Sequence, residues 1–470
     1  MEMRKPVLLI LAGLLALPLL AHASTADAAA NAVHAADTTA SQQLPGLRAI
    51  LARACPLVVQ GGASAANCLA SAVTRRVIFG NVAEYSIQIR TGAGEHDKIG
   101  LHRVVKESAP FVAVRASQAI LLAHGDAWGF DAAFLANLTT PGLSPEHAFP
   151  VFLAERGIDV WGIDFGWALV PAGTTDFAFF KSWGIGRDAR DLGIALGLAR
   201  LVRLAEGNGL TKIDLLGWSR GAQVGYAYVD AETLVPRLER QVKAFIPVDI
   251  FLKTNDPALR QAACTRAAAE RALVDAGTYQ NTTGTLFATL GNLALTAPSA
   301  PSPIVPGLTN RQAALLAGSA TYALLPPGQV FVPFYHFAGG TFDAQGLPTG
   351  LTYTPDRAWF RFEQGASAPF EPELLIAEGD ELICNQKDLP YDDHLGRIFV
   401  PILYVGAGGG FGEFGIYTTT LLGSKDVTTR IIRLLPPDQR AFDFGHADLW
   451  NATAAPRLVW QPILEWIVAH

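Results

Sequence analysis

Two rhythms of apolar and polar positions run along the chain. From residue 77 to 92 the two kinds alternate with a period of two, which predicts an antiparallel strand with one covered face. Residues 92–100, with glycine at both ends, then read as a turn, and 101–105 as a second strand. After residue 119 the rhythm changes to short unbroken apolar runs at 119–123, 158–163, 213–217, 242–248 and 400–405. Such runs suit strands buried on both faces of a parallel sheet. Between them, 187–204 places Leu192, Ile194, Leu196, Leu198, Leu201 and Leu204 nearly all round a helix, which should therefore be well covered. A strand over 427–434 and a helix over 456–468 close the chain. Alternating strands and helices predict an α/β protein, a mostly parallel central sheet with helices on both faces.

The segment 253–395 breaks this alternation. It holds an Ala-rich helical piece (258–276), a Pro-rich stretch (297–306) and the aromatics Phe331, Phe334, Tyr335, Phe337, Trp359, Phe360 and Phe362. It is too long for a crossover and too apolar for a linker. It reads as a large cap insertion on the edge of the sheet, splitting the core into 47–252 and 396–470.

Composition narrows the classes. Half the residues are apolar, 17% are charged and the net charge is −6. That excludes a disordered chain and a nucleic-acid partner, which would need a basic patch. Arg4 and Lys5 precede an apolar run over 7–20 and then Ala21-His22-Ala23. This is the pattern of a secretory signal (1–23), too short to span a bilayer, followed by a flexible low-complexity segment (24–46). A secreted or periplasmic protein is expected, with no transmembrane segment after signal removal. The four cysteines, Cys55, Cys68, Cys264 and Cys384, fit an oxidising compartment. They allow three pairings, and a bridge from Cys264 to Cys384 would tie the two ends of the insertion. None lies in a CxxC pair, so zinc is disfavoured.

The chemistry centres on Gly217-Trp218-Ser219-Arg220-Gly221, the chain's single GxSxG. It follows an apolar strand and opens a helix, so Ser219 would sit on a sharp strand-to-helix turn with helix N–H groups aimed at a developing oxyanion. His446, on a loop beyond the last strand, is the expected base. His124 is its main rival, but it precedes Gly125 and Asp126 at a strand end. There a backbone N–H of Gly125 or Asp126 could join that of Arg220 in an oxyanion hole. His394 lies in a charged loop and is a weak competitor. A second glycine pattern, Gly410-Phe-Gly412-Glu-Phe-Gly415, formally matches a dinucleotide fingerprint. It lies late in the chain, and the next strand ends in Arg430-Ile-Ile-Arg433 instead of an acid, so that reading is rejected.

In this order the motifs, over 77–252 and 395–470, resemble the α/β-hydrolase superfamily. The resemblance implies an α/β-hydrolase fold and a serine hydrolase that cleaves carboxylic esters through an acyl-enzyme, with no cofactor and no metal. Its partner would be a small-molecule or lipid ester, lipophilic if the cap aromatics line the site. The catalytic acid departs from the commoner family position: the strand at 400–405 runs into glycines and reaches only Glu413. Asp249, at the end of the preceding strand, occupies the other family position and is preferred, with Glu413 as alternative and Asp443 or Asp448 next. An amidase, a peptidase, a polyester depolymerase or a non-catalytic binding protein on the same fold stays open.

Overall fold

The period-two stretch folds as a hairpin instead of one strand. β1 (Thr74–Phe79) and β2 (Val82–Arg90) pair antiparallel, with Phe79 opposite Val82. Gly80 turns the chain at φ +53°, which glycine adopts without a Cβ clash. A two-residue turn preserves the alternation on either side, so periodicity alone does not reveal it. The computed structural model describes residues 45–59, 68–324, 332–366 and 370–470. The expected signal at 1–23, nearly all of the segment 24–46, and Phe331 lie outside them. Pro45 and Gly46, expected in the flexible segment, instead begin helix α1 (Pro45–Val58).

β3 (Lys98–Ala109) follows, then β4 (Ala119–Ala123), β5 (Asp159–Asp164), β6 (Ile213–Trp218), β7 (Val242–Val248), β8 (Ile402–Ala407) and β9 (Val427–Ile432). They stand in the order β1-β2-β3-β5-β4-β6-β7-β8-β9, and a two-residue strand, Val112–Ala113, on β3 makes ten. From β5 to β9 all pairs are parallel. In register, Ala123 lies opposite Gly217, Trp218 opposite Val248, and Val248 opposite Val405. Four strands therefore end level at one edge of the sheet, where the candidate site forms.

Alternate residues of each strand feed opposite cores. Leu121 and Ala123 pack towards α1, α2 (Ile185–Ala205) and α3 (Arg220–Glu232), whereas Ile120 and Leu122 enter the other core. Both are fully covered, as the unbroken apolar runs require. At the C-terminus a single wide π turn (Pro456–Trp460) leads into the last helix, Gln461–Ala469. Among the described residues no helix is long and apolar enough to cross a membrane.

The chain between β7 and β8 contributes α4 (Pro257–Asp275), α5 (Thr283–Thr296), α6 (Asn310–Ser319), α7 (Asp356–Gln364) and α8 (Glu373–Cys384). Their starts are encoded locally. Asp256 accepts the N–H groups of Ala258 and Leu259 ahead of α4, and Thr309 with Gln312 forms a capping box on α6. These helices do more than rest on an edge: Phe287, Phe337, Trp359 and Phe362 share one apolar core with Trp128 and Trp218 beneath them. The cysteines form two disulfides, Cys55–Cys68 and Cys264–Cys384. The second joins α4 to the end of α8.

Candidate active site

Between the end of β6 and the start of α3 stands one residue, Ser219, with φ 55° and ψ −129°. A non-glycine residue held there stores on the order of 1–3 kcal/mol of backbone strain. Its neighbours make the turn feasible. A Cβ at Gly217 would overlap the backbone of Gly221 and Ala222, and one at Gly221 would overlap the carbonyls of Ala123 and His124. The Ser219 N–H donates to the Val248 carbonyl at 2.9 Å, tying the turn to β7. The side chain faces a cavity of about 120 Å³ that His446 also lines.

His446 is 1% exposed and stands on the loop after β9. Its Nδ1 lies 2.7 Å from Asp249 Oδ2. The ring stacks on Trp218 with centroids 4.8 Å apart, and Tyr335, Phe337 and Phe411 enclose it. Its backbone N–H donates to His336 O at 3.0 Å, so ring and backbone are both anchored.

Asp249, the first residue after β7, adopts φ 48° and is fully buried. A buried carboxylate is costly unless hydrogen-bonded. Here Oδ1 accepts the N–H groups of Ala407 and Gly412, each at 2.8 Å. A Cβ at Gly410 would strike Asp249 Oδ2. The glycine pattern that mimics a dinucleotide fingerprint thus forms a backbone cradle for this carboxylate. Glu413, the alternative acid, points elsewhere, pairing with Arg433 at 2.7 Å and Arg440 at 3.4 Å. Asp443 accepts the N–H groups of Leu434 and Phe444, and Asp448 those of Gly339 and Gly445, so both carboxylates shape loops. His394 pairs with Asp230.

His124 is buried behind the loop that follows β4. Its Nε2 accepts the Phe165 N–H at 3.2 Å, which makes Nδ1 the donor to Gly125 O at 2.9 Å. Burial pushes its pKa down and keeps the ring neutral. A trans peptide points its N–H opposite to its carbonyl. The bond from His124 therefore also fixes the direction of the Asp126 N–H. Gly125 is required beside the serine, because a Cβ there would lie 2.8 Å from Ser219 Cβ. On the other side, the first-turn N–H of Arg220 has no carbonyl behind it in α3.

Of the cap aromatics, Tyr335 and Phe337 line the cavity. Trp359 and Phe360 are buried, Phe362 stacks behind Trp128 at 4.6 Å, and Phe334 is 44% exposed. The lining also holds six charged residues: Asp126, Arg220, Arg266, Glu270, Glu371 and Asp380. Local pattern does not mark the four that come from the insertion. Arg266 and Glu270, four residues apart, look like any solvated helix pair, and the acids near α8 look like a polar face.

No protein-family model matches the chain, and no curated protein matches it in sequence. Among solved structures, a candidate lipase from Sulfolobus solfataricus is similar over 83% of this chain and 95% of its own, with a TM-score of 0.54 and 16% identity. A soluble variant of Saccharomyces cerevisiae monoglyceride lipase, in complex with a substrate analogue, covers 85% of this chain and 97% of its own, with 12% identity and a TM-score of 0.40. A thermophilic esterase from Thermogutta terrifontis covers 82% and 98%, with 13% identity and a TM-score of 0.38. The first likeness, with the sheet order and helices described above, assigns the α/β-hydrolase fold.

Proposed function

We infer that the chain is an exported serine hydrolase that cleaves carboxylic esters. The observation that carries this reading is one cavity shared by a strained Ser219 at a helix N-terminus and a buried His446 whose Nδ1 meets Asp249 at 2.7 Å. With Nδ1–H engaged by the carboxylate, Nε2 is left to accept the Ser219 hydroxyl proton. The alkoxide then attacks the ester carbonyl, and the N–H groups of Asp126 and Arg220 receive the developing oxyanion. His446 returns the proton to the leaving alcohol, and water, activated by the same imidazole, releases the acid from the acyl-enzyme. Asp249 fixes the tautomer and balances the imidazolium. Export is supported by the two disulfides together with the charged and apolar pattern over 1–23.

The test is direct. A fluorophosphonate probe should label wild-type protein at Ser219, and p-nitrophenyl esters should be hydrolysed faster than matched aminoacyl amides. Folded protein that takes no label and cleaves no ester would move the reading to a binding protein. Faster cleavage of the amides would move it to an amidase or peptidase.

A further inference from the structure

One wall of the cavity is aromatic, from Trp128, Phe287, Tyr335, Phe337 and Phe411. The charged lining residues form a second, polar wall, and the acyl-transfer steps do not use its side chains. Two of its residues come from the core, Asp126 and Arg220, whose side chains pair at 3.0 and 3.3 Å. The others come from the insertion: Arg266 and Glu270 on α4, Asp380 on α8, and Glu371 just before α8. Arg266 pairs with Asp380 at 2.8 Å and lies 3.6 Å from Glu270. Helix α8 is shaped to this wall, because a Cβ at Gly379 would fall on the guanidinium of Arg220.

Glu371 adjoins the first pair, its carboxyl within hydrogen-bonding reach of Asp126. It is 4% exposed and lines the cavity, yet no N–H or O–H of the protein reaches its Oε1. Burial and the adjacent Asp126 carboxylate push it well above the usual carboxylate range. Against burial, Arg220 holds Asp126 below that range. The wall therefore offers four carboxyl groups and two guanidinium groups within one small space.

The chemistry of a matching ligand follows by elimination. An ammonium group would face Arg220 and Arg266. A carboxylate or phosphate would face four carboxyl groups. A hydroxyl can donate to the carboxyl groups or accept from the guanidinium groups, and it brings no charge. We propose that this wall binds a neutral, hydroxyl-bearing part of the ester, a polyol or hydroxy-acid group, beside the bond that is cleaved. This rests on the ester-hydrolase reading.

Two matched substrate pairs test this on the full chain. Glycerol 1-butyrate and n-propyl butyrate differ only by two hydroxyls on the alcohol side. Ethyl 3-hydroxybutyrate and ethyl butyrate differ by one on the acyl side. The hydroxylated member of at least one pair should have a kcat/KM at least tenfold above its partner. Glu371→Met should bring that ratio to within threefold of unity, whereas Glu371→Gln, which keeps a hydrogen-bonding amide, should retain most of it. Wild-type ratios within threefold in both pairs would overturn the proposal, as would faster cleavage of butyrylcholine or monoethyl succinate than of either hydroxylated ester. The wild-type ratios decide even where the Met variant does not fold. If the protein takes no phosphonate label and cleaves no ester, the hydrolase reading has failed. Calorimetry with glycerol 1-butyrate and n-propyl butyrate then judges the wall alone: tighter binding of the glycerol ester supports it, and equal binding overturns it.

Discussion

Asp249 and Glu413 border the same glycine-rich loop, yet only Asp249 reaches His446. Substitutions should separate them. Asn adopts positive φ readily, so Asp249→Asn should keep the backbone while favouring the wrong imidazole tautomer, lowering esterase kcat by up to about 10⁴-fold. Glu413→Gln should lose less than about tenfold, the scale of a modest positioning defect. Ser219→Ala and His446→Ala should each lower turnover by about 10³-fold or more with circular dichroism unchanged, because the two act as a unit. Gly379→Ala tests the seat of Arg220. Overpacking there should cost about 1–3 kcal/mol, seen as a lower Tm, and should depress kcat/KM as Arg220 shifts from Asp126. An unchanged Tm and kcat/KM would show that Arg220 relocates freely. At this scale Ser219 and His446 were legible because each lies in a short contiguous motif. Of the polar wall, Asp126 and Arg220 entered only through their backbone N–H groups, and Arg266, Glu270, Glu371 and Asp380 were not legible, because they lie far from the motifs and acquire meaning only when packed together.

At the level of elements, the parallel strands were legible to within a few residues, since burial on both faces leaves an unbroken apolar run. The β1–β2 hairpin was read as one strand. Its Gly80-Asn81 turn is a known hairpin signal, but it did not disturb the alternation. Between α4 and α8 the contact is covalent as well as apolar. The cysteines of this bridge lie 120 residues apart, so closing that loop removes unfolded-state entropy worth on the order of 4–5 kcal/mol in the chain model, with less commonly realised. Replacing Cys264 and Cys384 together by Ala should lower the unfolding free energy by about 2–4 kcal/mol. Thermal melts of the variant should fall below those of the wild type, and reductant should shift the wild type more than the variant, which keeps only Cys55–Cys68.

For the whole molecule, buried acids set the response to pH. Burial pushes Asp188, which accepts a hydrogen bond from Trp167 Nε1 at 2.9 Å, up to about 8, and Asp448 up to about 7. An unfolded chain releases these protons near pH 4. Between about pH 4 and 8 the folded chain thus binds more protons than the unfolded one, and stability falls as pH rises through that window. Against burial, His102 holds Glu84 and Asp164 at about 2, so their contribution is lost only as pH drops below about 4.5. The Tm should therefore peak near pH 5 and decline towards pH 9, and Asp188→Asn should flatten that decline. Sequence could announce an insertion of this size, but not that its aromatics would complete the core over one face of the sheet, since burial between distant segments leaves no periodic trace. The level ends of β4, β6, β7 and β8 carry a kinetic consequence. Residues 126, 219, 249 and 446 become neighbours only when those strands, and β9 beyond them, have found their register, the kind of long-range pairing that forms slowly during folding. No partly folded chain can assemble the site. In refolding from denaturant with the disulfides intact, catalytic competence should return in the slowest phase, after secondary structure has recovered, so a newly made molecule stays chemically silent until its last strand has docked.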